Sequence, residues 1–158
     1  MKNLSYKNSG VNIDIANSAK SEMAKILKTQ NKRVLNKVGA FATLFDGTFP
    51  EYKHPVLIFK TEEPGSKQKL ALENNSVETI CQDLINHLIN DAIVMGARPL
   101  SVQDCIVCGK IEKNIILRIV KSLSETCAEN GGILSGGETS EQPGVVEAHS
   151  LHGGHVHE

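Results

Sequence analysis

The most regular hydrophobic pattern of this 158-residue chain lies between residues 76 and 97. Apolar side chains recur there at alternating intervals of three residues and one residue, which is the spacing of a single face of an α-helix. The pattern predicts a helix over 76–97, followed closely by Pro99, which cannot continue it. The residues expected to face inward are Val77, Ile80, Cys81, Leu84, Ile85, Leu88, Ile89, Ala92 and Ile93.

Two further helices follow from the same spacing. Residues 112–130 are expected to form one, with Gly131 just past its end. Another is expected to begin at Asp14, whose side chain can cap it, and to run to about Thr29. Their predicted inward residues are Ile116, Ile119, Val120, Leu123 and Cys127 in the first, and Met23, Ile26 and Leu27 in the second.

Short apolar runs between these helices predict strands. They cover residues 38–45, 56–60, 100–107 and 133–134, and a turn signal at Asp46-Gly47 follows the first. The order is then helix, two strands, helix, strand, helix, strand, which is typical of a mixed α/β (α+β) domain. We expect a mixed sheet of about four strands with helices on one face.

Charge and composition exclude several classes of function. The net charge is −1, the sequence pI is about 6.6, aromatic residues make up 4% of the chain, and tryptophan is absent. Binding to nucleic acid or to an anionic membrane needs clustered positive charge, so neither partner is expected. The chain also has no apolar run near the roughly 20 residues that cross a bilayer, and no signal-peptide core at its start. A cytoplasmic protein with reduced cysteines is expected.

The polar face of the helix at 76–97 is the first place with candidate chemistry. At roughly 100° per residue, Asp83, Asn86, His87 and Asn90 fall together, and Asp91 lies at the border of the apolar stripe. A partly buried carboxylate persists only when it gains a hydrogen bond or a cation. A solvated helix face with one border acid is the alternative reading.

The stretch KTEEPGSKQKLAL at 60–72 raises a similar question, because both signs of charge follow an apolar run. Glu62 and Glu63 could hold a metal ion, and the Lys67 ammonium could meet a phosphate. Gly65-Ser66 supplies a flexible turn with a hydroxyl. A charged hairpin without a ligand is the alternative.

Paired glycines mark a third stretch, SGGETSEQPG at 135–144. Gly136 and Gly137 are expected to follow the end of a short strand, where they would let backbone N–H groups approach a ligand. Glu138 and Glu141 would repel a bare phosphate unless a divalent cation lies between them. A tight surface turn is the alternative, and no P-loop or dinucleotide-binding glycine motif occurs in the chain.

Two clusters could bind metal or do redox chemistry, although neither pattern favours it. Cys105 and Cys108 have the C-x-x-C spacing, but on a strand they would point to opposite faces. The end of the chain at 149–158 carries four histidines, which could bind Ni²⁺, Cu²⁺ or Zn²⁺ loosely or belong to a disordered or non-native tail. These histidines are His149, His152, His155 and His157.

Three motifs, in order over about 140 residues, carry a resemblance to a known family. The segment YKNSGVNIDIAN at 6–17 resembles the opening motif of the phosphoribosylformylglycinamidine cyclo-ligases, also called aminoimidazole ribonucleotide synthetases. INDAIVMGARPLSVQDCIVCGKI at 89–111 is similar to that family's N-D and D-Y-x-A-T-G-K-L motifs, and GGETSEQPG at 136–144 to its G-G-E-T-A-E-M-P-G.

The resemblance implies an activity and a setting. Members use ATP to activate the formyl oxygen of formylglycinamidine ribonucleotide, and ring closure then gives aminoimidazole ribonucleotide, ADP and phosphate in purine biosynthesis. The family implies Mg²⁺ and a homodimer whose N-terminal sheets pair into a barrel. The resemblance covers only the N-terminal, ATP-binding half, here 1–148, so we expect a fragment that is inactive alone.

Matching positions imply roles for individual residues. Lys67 and Asp91 take catalytic places, and Glu62, Asp91 and Glu138 the metal places. The implied nucleotide-binding residues are Lys7, Gly10, Gly65, Ser66, Lys67, Asn90, Gly136, Gly137, Glu138 and Thr139.

The loop at 61–67 departs from the family's T-D-G-V-G-T-K, because it reads T-E-E-P-G-S-K. The longer Glu62 and the added Glu63 and Pro64 change both the reach and the stiffness of the loop, so metal geometry, nucleotide preference or activity could differ. This departure leaves room for another ATP-dependent reaction of the same superfamily, of the thiamine-monophosphate kinase or selenophosphate synthetase type. A non-enzymatic metal-binding protein that uses the His-rich tail is a further alternative.

Overall fold

The computed structural model of the chain describes residues 5–27, 31–37, 39–146 and 151–152. Over these residues the chain forms a short 3-10 turn at Lys7–Ser9, four α-helices and three strands. In chain order, the helices and strands are α1 (Ile13–Ile26), α2 (Lys67–Glu73), α3 (Val77–Val94), β1 (Val102–Cys108), α4 (Lys113–Glu129), β2 (Leu134–Glu141) and β3 (Leu151–His152).

The described strands form a three-stranded sheet with β1 in the middle, in the order β2-β1-β3. β1 and β2 run parallel and are connected through α4, the crossover that a parallel pair requires. Along β1, Ile106 and Cys108 are buried whereas Cys105 is exposed. One face of the sheet is therefore covered by helices, and the predicted mixed α/β class is confirmed, although the described strands number three rather than four.

α4 is the central helix of the covering layer, because it packs against both α1 and α3. Two ion pairs support these contacts: Arg118 Nε lies 2.6 Å from Glu78 Oε1 on α3, and Lys113 Nζ lies 2.5 Å from Glu22 Oε1 on α1. The apolar stripe predicted for α4 is confirmed, since its residues Ile116, Ile119, Val120, Leu123 and Cys127 are all buried.

α3 follows the predicted helix closely but ends at Val94. The first part of its apolar stripe is confirmed. The prediction is wrong for Ile93, which is 56% exposed in the last turn. The stripe is therefore covered by neighbouring helices over most of α3 but not at its carboxyl end. The buried residues of α3 are Val77, Cys81, Ile85 and Ile89.

The predicted cap of α1 is wrong by two residues. Asn12, not Asp14, is the N-cap, and its side chain accepts hydrogen bonds from the backbone N–H groups of Asp14 (3.2 Å) and Ile15 (3.3 Å). An amide oxygen at this position satisfies helix N–H groups that would otherwise lack a partner. The described helix ends at Ile26, and the predicted end near Thr29 falls outside the described residues.

Two predicted strands do not form among the described residues. Val38 lies outside them, and residues 39–45 carry only an isolated bridge from Phe45 to Val34. The run at 56–60 is irregular, with Val56 86% and Phe59 89% exposed. An apolar, strand-favouring sequence becomes a strand only beside a neighbour that takes up its backbone hydrogen bonds, and none of the described strands does so.

Three differences concern elements that the sequence did not predict or predicted too short. α2 forms where a charged loop was expected, because KQKLALE consists of strong helix formers. β2 does not stop before Gly136 but continues to Glu141, since β1 offers a parallel partner along its whole length. β3 pairs with β1 inside the predicted tail, whereas the domain boundary at residue 148 stays a prediction.

Candidate functional site

Two carboxylates from separate elements meet beside the carboxyl-terminal part of α3. Glu62 belongs to the irregular segment before α2, and Asp91 lies in the last part of α3. The Lys60 ammonium bridges them, with Nζ 2.5 Å from Glu62 Oε1 and 2.8 Å from Asp91 Oδ2. His87 stands one helical turn before Asp91, and its Nε2 lies 3.8 Å from Asp91 Oδ2. We call Lys60, Glu62, His87 and Asp91 the acid–imidazole cluster.

The donor atoms of this cluster lie close enough to share an ion. One atom each from Glu62, His87 and Asp91 lies within 4.8 Å of the other two. Over the part of the chain that the structure describes, no second group of three such residues comes together in this way. The Asp91 side chain is 39% exposed, which agrees with its predicted place at the edge of the apolar stripe.

Mutual pairing fixes the charges of the cluster. Hydrogen bonds to Asp91 and then to Glu62 raise the pKa of Lys60 well above its usual range. The hydrogen bond from Lys60 lowers the pKa of Glu62 and that of Asp91. Both carboxylates are therefore ionised at neutral pH, which is the form that binds a cation.

Lys67 lies at the start of α2, directly after the turn at Gly65-Ser66. Gly65 adopts a φ of 66°, a conformation that favours glycine, and so reverses the chain into the helix. The Lys67 ammonium forms an ion pair with Asp83 on the polar face of α3. Asp83 precedes Asp91 by about two helical turns, roughly 12 Å along the axis. Lys67 therefore projects toward the same helix as the acid–imidazole cluster, and Asn90 is exposed beside Asp91.

The predicted glycine loop is part of β2 instead of following a strand. Gly137 is paired with Asp104 of β1, and a Cβ on Gly137 would lie 2.0 Å from the Asp104 carbonyl oxygen. Gly137 is therefore required for the close approach of two strands, and the role of both glycines toward a ligand stays a prediction. The segment 136–139 nevertheless lines a cavity of about 740 Å³, together with α1 and residues 39–43.

Glu138 does not belong to the acid–imidazole cluster. Its Oε1 accepts a hydrogen bond from the backbone N–H of Thr139 at 2.9 Å. Of the three residues proposed to bind metal, the structure therefore brings two together.

The amino-terminal segment lies against Pro143, two residues past the end of β2. Gly10 has a φ of 97°, and a Cβ there would lie 2.9 Å from the Cβ of Pro143. Lys7 belongs to the 3-10 turn that precedes Gly10. The first and third sequence motifs thus lie next to each other in the fold.

Sequence reasoning did not assign two members of the cluster. His87 was recognised on the polar face of α3 but was not predicted to join Asp91 and Glu62. Its separation of four residues from Asp91 was the available signal, since such pairs are neighbours on a helix. Lys60 gave no signal, because its role depends on where the irregular segment before α2 lies relative to Asp91.

The cysteines do not support redox chemistry. Cys105 is exposed and Cys108 is buried, which confirms that they point to opposite faces of β1. Burial raises the pKa of both thiols, that of Cys108 to about 11, so the reactive thiolates are scarce at neutral pH. The histidines of the tail lie outside the residues whose side chains the structure describes.

Comparison with known proteins defines the family. A model of the N-terminal domain of AIR synthase related proteins matches residues 52–155. The chain therefore belongs to this family of AIR synthase related proteins. Among the described helices, none is long and apolar enough to pass through a membrane.

Curated relatives are named phosphoribosylformylglycinamidine cyclo-ligase. The chain is 39% identical over 143 residues to the protein from Clostridium tetani, 36% over 144 residues to that from Fusobacterium nucleatum, and 37% over 143 residues to that from Oceanobacillus iheyensis. Each match covers 90% of this chain but only 42–43% of the relative. The chain thus spans about two fifths of the length of these relatives.

Proposed function

We propose that this chain is the ATP-binding part of a phosphoribosylformylglycinamidine cyclo-ligase. The observation that carries the proposal is the meeting of Glu62 and Asp91, which the family resemblance names as metal ligands and which come from separate elements. The identity of 36–39% to proteins of that name supports the choice of reaction. Substrates are then ATP and formylglycinamidine ribonucleotide.

The roles of the residues follow from their chemistry. Glu62 and Asp91 would hold Mg²⁺, which supplies positive charge that neutralises phosphate oxygens during phosphoryl transfer. Glu138 is a proposed additional ligand on β2. The Lys67 ammonium provides a point charge for a phosphate, provided that it leaves its ion pair with Asp83. Asn90 and Ser66 are proposed to donate hydrogen bonds to the nucleotide.

Backbone and the amino-terminal segment complete the proposed nucleotide site. Gly65, Gly136, Gly137 and Thr139 are proposed nucleotide contacts, and the last three line the cavity of about 740 Å³. Lys7 and Gly10 would cover the nucleotide, since Gly10 already lies against Pro143, just past the end of β2. We also propose a cytoplasmic location, in keeping with the four free cysteines.

A homodimer is part of the proposal, because an apolar run is left exposed. Val56 and Phe59 are 86% and 89% exposed, and Leu57 and Ile58 between them are 50% and 41% exposed. A second copy that pairs along 56–60 would supply the missing hydrogen-bonding neighbour and bury these side chains. Sedimentation should give a dimer for the wild type and a monomer for Phe59→Ser, whereas Val145→Ser, also at an exposed apolar position, should stay dimeric. A monomeric wild type would refute this part.

Calorimetric titration with ATP and Mg²⁺ tests the nucleotide site. Lys67→Ala should weaken binding at least about tenfold, since it removes a charge-assisted contact to phosphate. Lys69→Ala is the matched control, because Lys69 lies on the same helix and its ion pair is with Glu73, at 4.0 Å. Asp83→Asn frees Lys67 and should leave binding equal or tighter. Absence of heat from the wild type at millimolar nucleotide would refute the proposal.

The chain by itself is proposed to bind nucleotide without completing the cyclisation. The resemblance places the family's active site in a cleft to which a second domain contributes. Turnover by this polypeptide alone would refute that statement. The superfamily alternative is tested by complementation of a purine auxotroph with the full-length gene, which should restore growth under the cyclo-ligase reading and fail under the kinase or selenophosphate reading.

A further inference from the structure

His87 gives the acid–imidazole cluster a nitrogen donor in addition to its two carboxylates. Its side chain is 47% exposed and its Nε2 faces Asp91 Oδ2 at 3.8 Å. We propose that Glu62, His87 and Asp91 together form a divalent metal site that prefers Mn²⁺, Co²⁺ or Zn²⁺ to Mg²⁺. This inference rests on the proposed function in one respect, because Glu62 and Asp91 would also hold the metal ion that accompanies ATP.

The donor set is the reason for the preference. Mg²⁺ binds almost only oxygen ligands and keeps several of its waters, whereas imidazole nitrogen suits Zn²⁺ and the later first-row ions. A set of one nitrogen and two carboxylate oxygens on one side of the ion leaves its remaining positions open. Phosphate oxygens or water can occupy those positions.

The geometry needs only small side-chain movements. Bonds of about 2.1 Å to a metal hold neighbouring ligand atoms roughly 3 Å apart. The three donor atoms already lie within 4.8 Å of one another. Because all three side chains are at least one-quarter exposed, each can close the remaining distance by rotation without disturbing the core.

Lys60 is the competitor for this position. Its ammonium lies between Glu62 and Asp91, where it neutralises part of their charge in the way that an ion would. A metal ion has to displace this ammonium, so Lys60 weakens metal binding without preventing it. Replacement of Lys60 by an uncharged side chain of similar length should therefore tighten binding of every divalent ion, while His87 sets the choice among them.

The experiment uses the full chain with the four tail histidines changed to glutamine, so that the tail cannot bind metal. Mn²⁺ binding is followed by electron paramagnetic resonance and Mg²⁺ binding by calorimetry, both without nucleotide. His87→Gln should weaken Mn²⁺ binding at least about tenfold and change Mg²⁺ binding less than about twofold. Loss of a residue that only supports a metal ligand already costs about 10–100-fold in affinity, and loss of the ligand itself should cost at least as much. His54→Gln, at an exposed position outside the cluster, should change neither.

Two further variants sharpen the result. His87→Asp replaces nitrogen by oxygen and should lower the ratio of Mn²⁺ to Mg²⁺ affinity, and Lys60→Met should tighten both. A nitrogen signal in the spin-echo spectrum of bound Mn²⁺, lost in His87→Gln, would support ligation by the imidazole. Equal weakening of both metals in His87→Gln, no weakening, or no nitrogen signal in the wild type would overturn the inference.

Failure of this inference and failure of the proposed function give different patterns. If His87 is not a ligand, ATP with Mg²⁺ still binds to the wild type and to His87→Gln alike. If the proposed function is wrong, ATP does not bind to the wild type even though Mn²⁺ does.

Discussion

Replacement of Gly137 by alanine tests whether this glycine serves the fold or a ligand. Its φ is 154°, and the new Cβ would lie 2.0 Å from the carbonyl oxygen of Asp104 and 2.9 Å from the Asp104 carbonyl carbon. The contacts are to backbone atoms of β1, which cannot rotate away as a side chain does. Relief therefore requires β1 and β2 to separate along their parallel pairing.

The expected cost combines two effects. An inserted methyl group in a tightly packed place costs about 1–3 kcal/mol, and a non-glycine residue in a rare backbone conformation costs about 1–3 kcal/mol more. Together they give roughly 4 kcal/mol, a large part of the 5–15 kcal/mol that stabilises an ordinary domain. The melting temperature should fall by roughly 8–16 °C in a chain of this size.

Two other glycines separate these effects. Gly144→Ala introduces only the backbone conformation, because its φ is 83° and nothing lies within 4 Å of the new Cβ. Gly136→Ala introduces only a contact, at 2.8 Å from Thr43 Oγ1, which belongs to a side chain that can move. Thermal unfolding followed by circular dichroism should show a much larger shift for Gly137→Ala than for either control. Equal shifts for all three variants would refute the packing argument.

Three further predictions concern stability. Ile85→Ala should cost about 2–5 kcal/mol in urea unfolding, because Ile85 is fully buried, whereas Ile93→Ala, at a half-exposed position, should cost under about 0.5 kcal/mol. The hydrogen bond from Arg118 lowers the pKa of Glu78 to about 2. The stabilisation of the fold by this ion pair is therefore present above pH 4.5 and is lost as the pH falls toward 2. Glu78→Gln should lack this pH-dependent loss of stability in its acid-unfolding curve. Burial raises the pKa of Asp104 to about 6, so Asp104→Asn should stabilise the chain at pH 7 by up to about 3 kcal/mol and make no difference below pH 3.8.

Each of these has a contrary outcome. Equal losses for the two isoleucine variants would mean that the helical layer is not packed as described. An unchanged acid-unfolding curve in Glu78→Gln would remove the link between α3 and α4 from the account. A neutral or destabilising effect of Asp104→Asn at pH 7 would mean that the carboxylate has a partner that compensates for its burial.

The helical layer could be predicted from the sequence because the information is local. The spacing of Ile85 and its neighbours on α3, and of Leu123 and its neighbours on α4, specifies one buried face for each helix regardless of what covers it. Capping is decided at single residues, so Asn12 and Asp14 could not be distinguished from the pattern alone.

Strands and the site depend on contacts that the pattern does not contain. Val56–Phe59 has the composition of a strand, but a strand forms only beside a neighbour. β2 shows the opposite case, because its pairing with β1 continues the strand through two glycines. The pairing of Glu62 with Asp91 was implied by the family's motifs and not by the spacing of the residues. Lys60 joined them through the path of the irregular segment before α2, which no local signal records, whereas the four-residue separation of His87 from Asp91 was a local signal.

The most direct test of the central claim is a crystal structure of the chain with Mg²⁺ and a non-hydrolysable ATP analogue. Our account predicts the ion between Glu62 and Asp91, a phosphate beside Lys67, and the nucleotide in contact with residues 136–139 of the same or of a second copy. An analogue bound away from all three, with the Lys60 bridge and the Lys67–Asp83 pair intact, would contradict it.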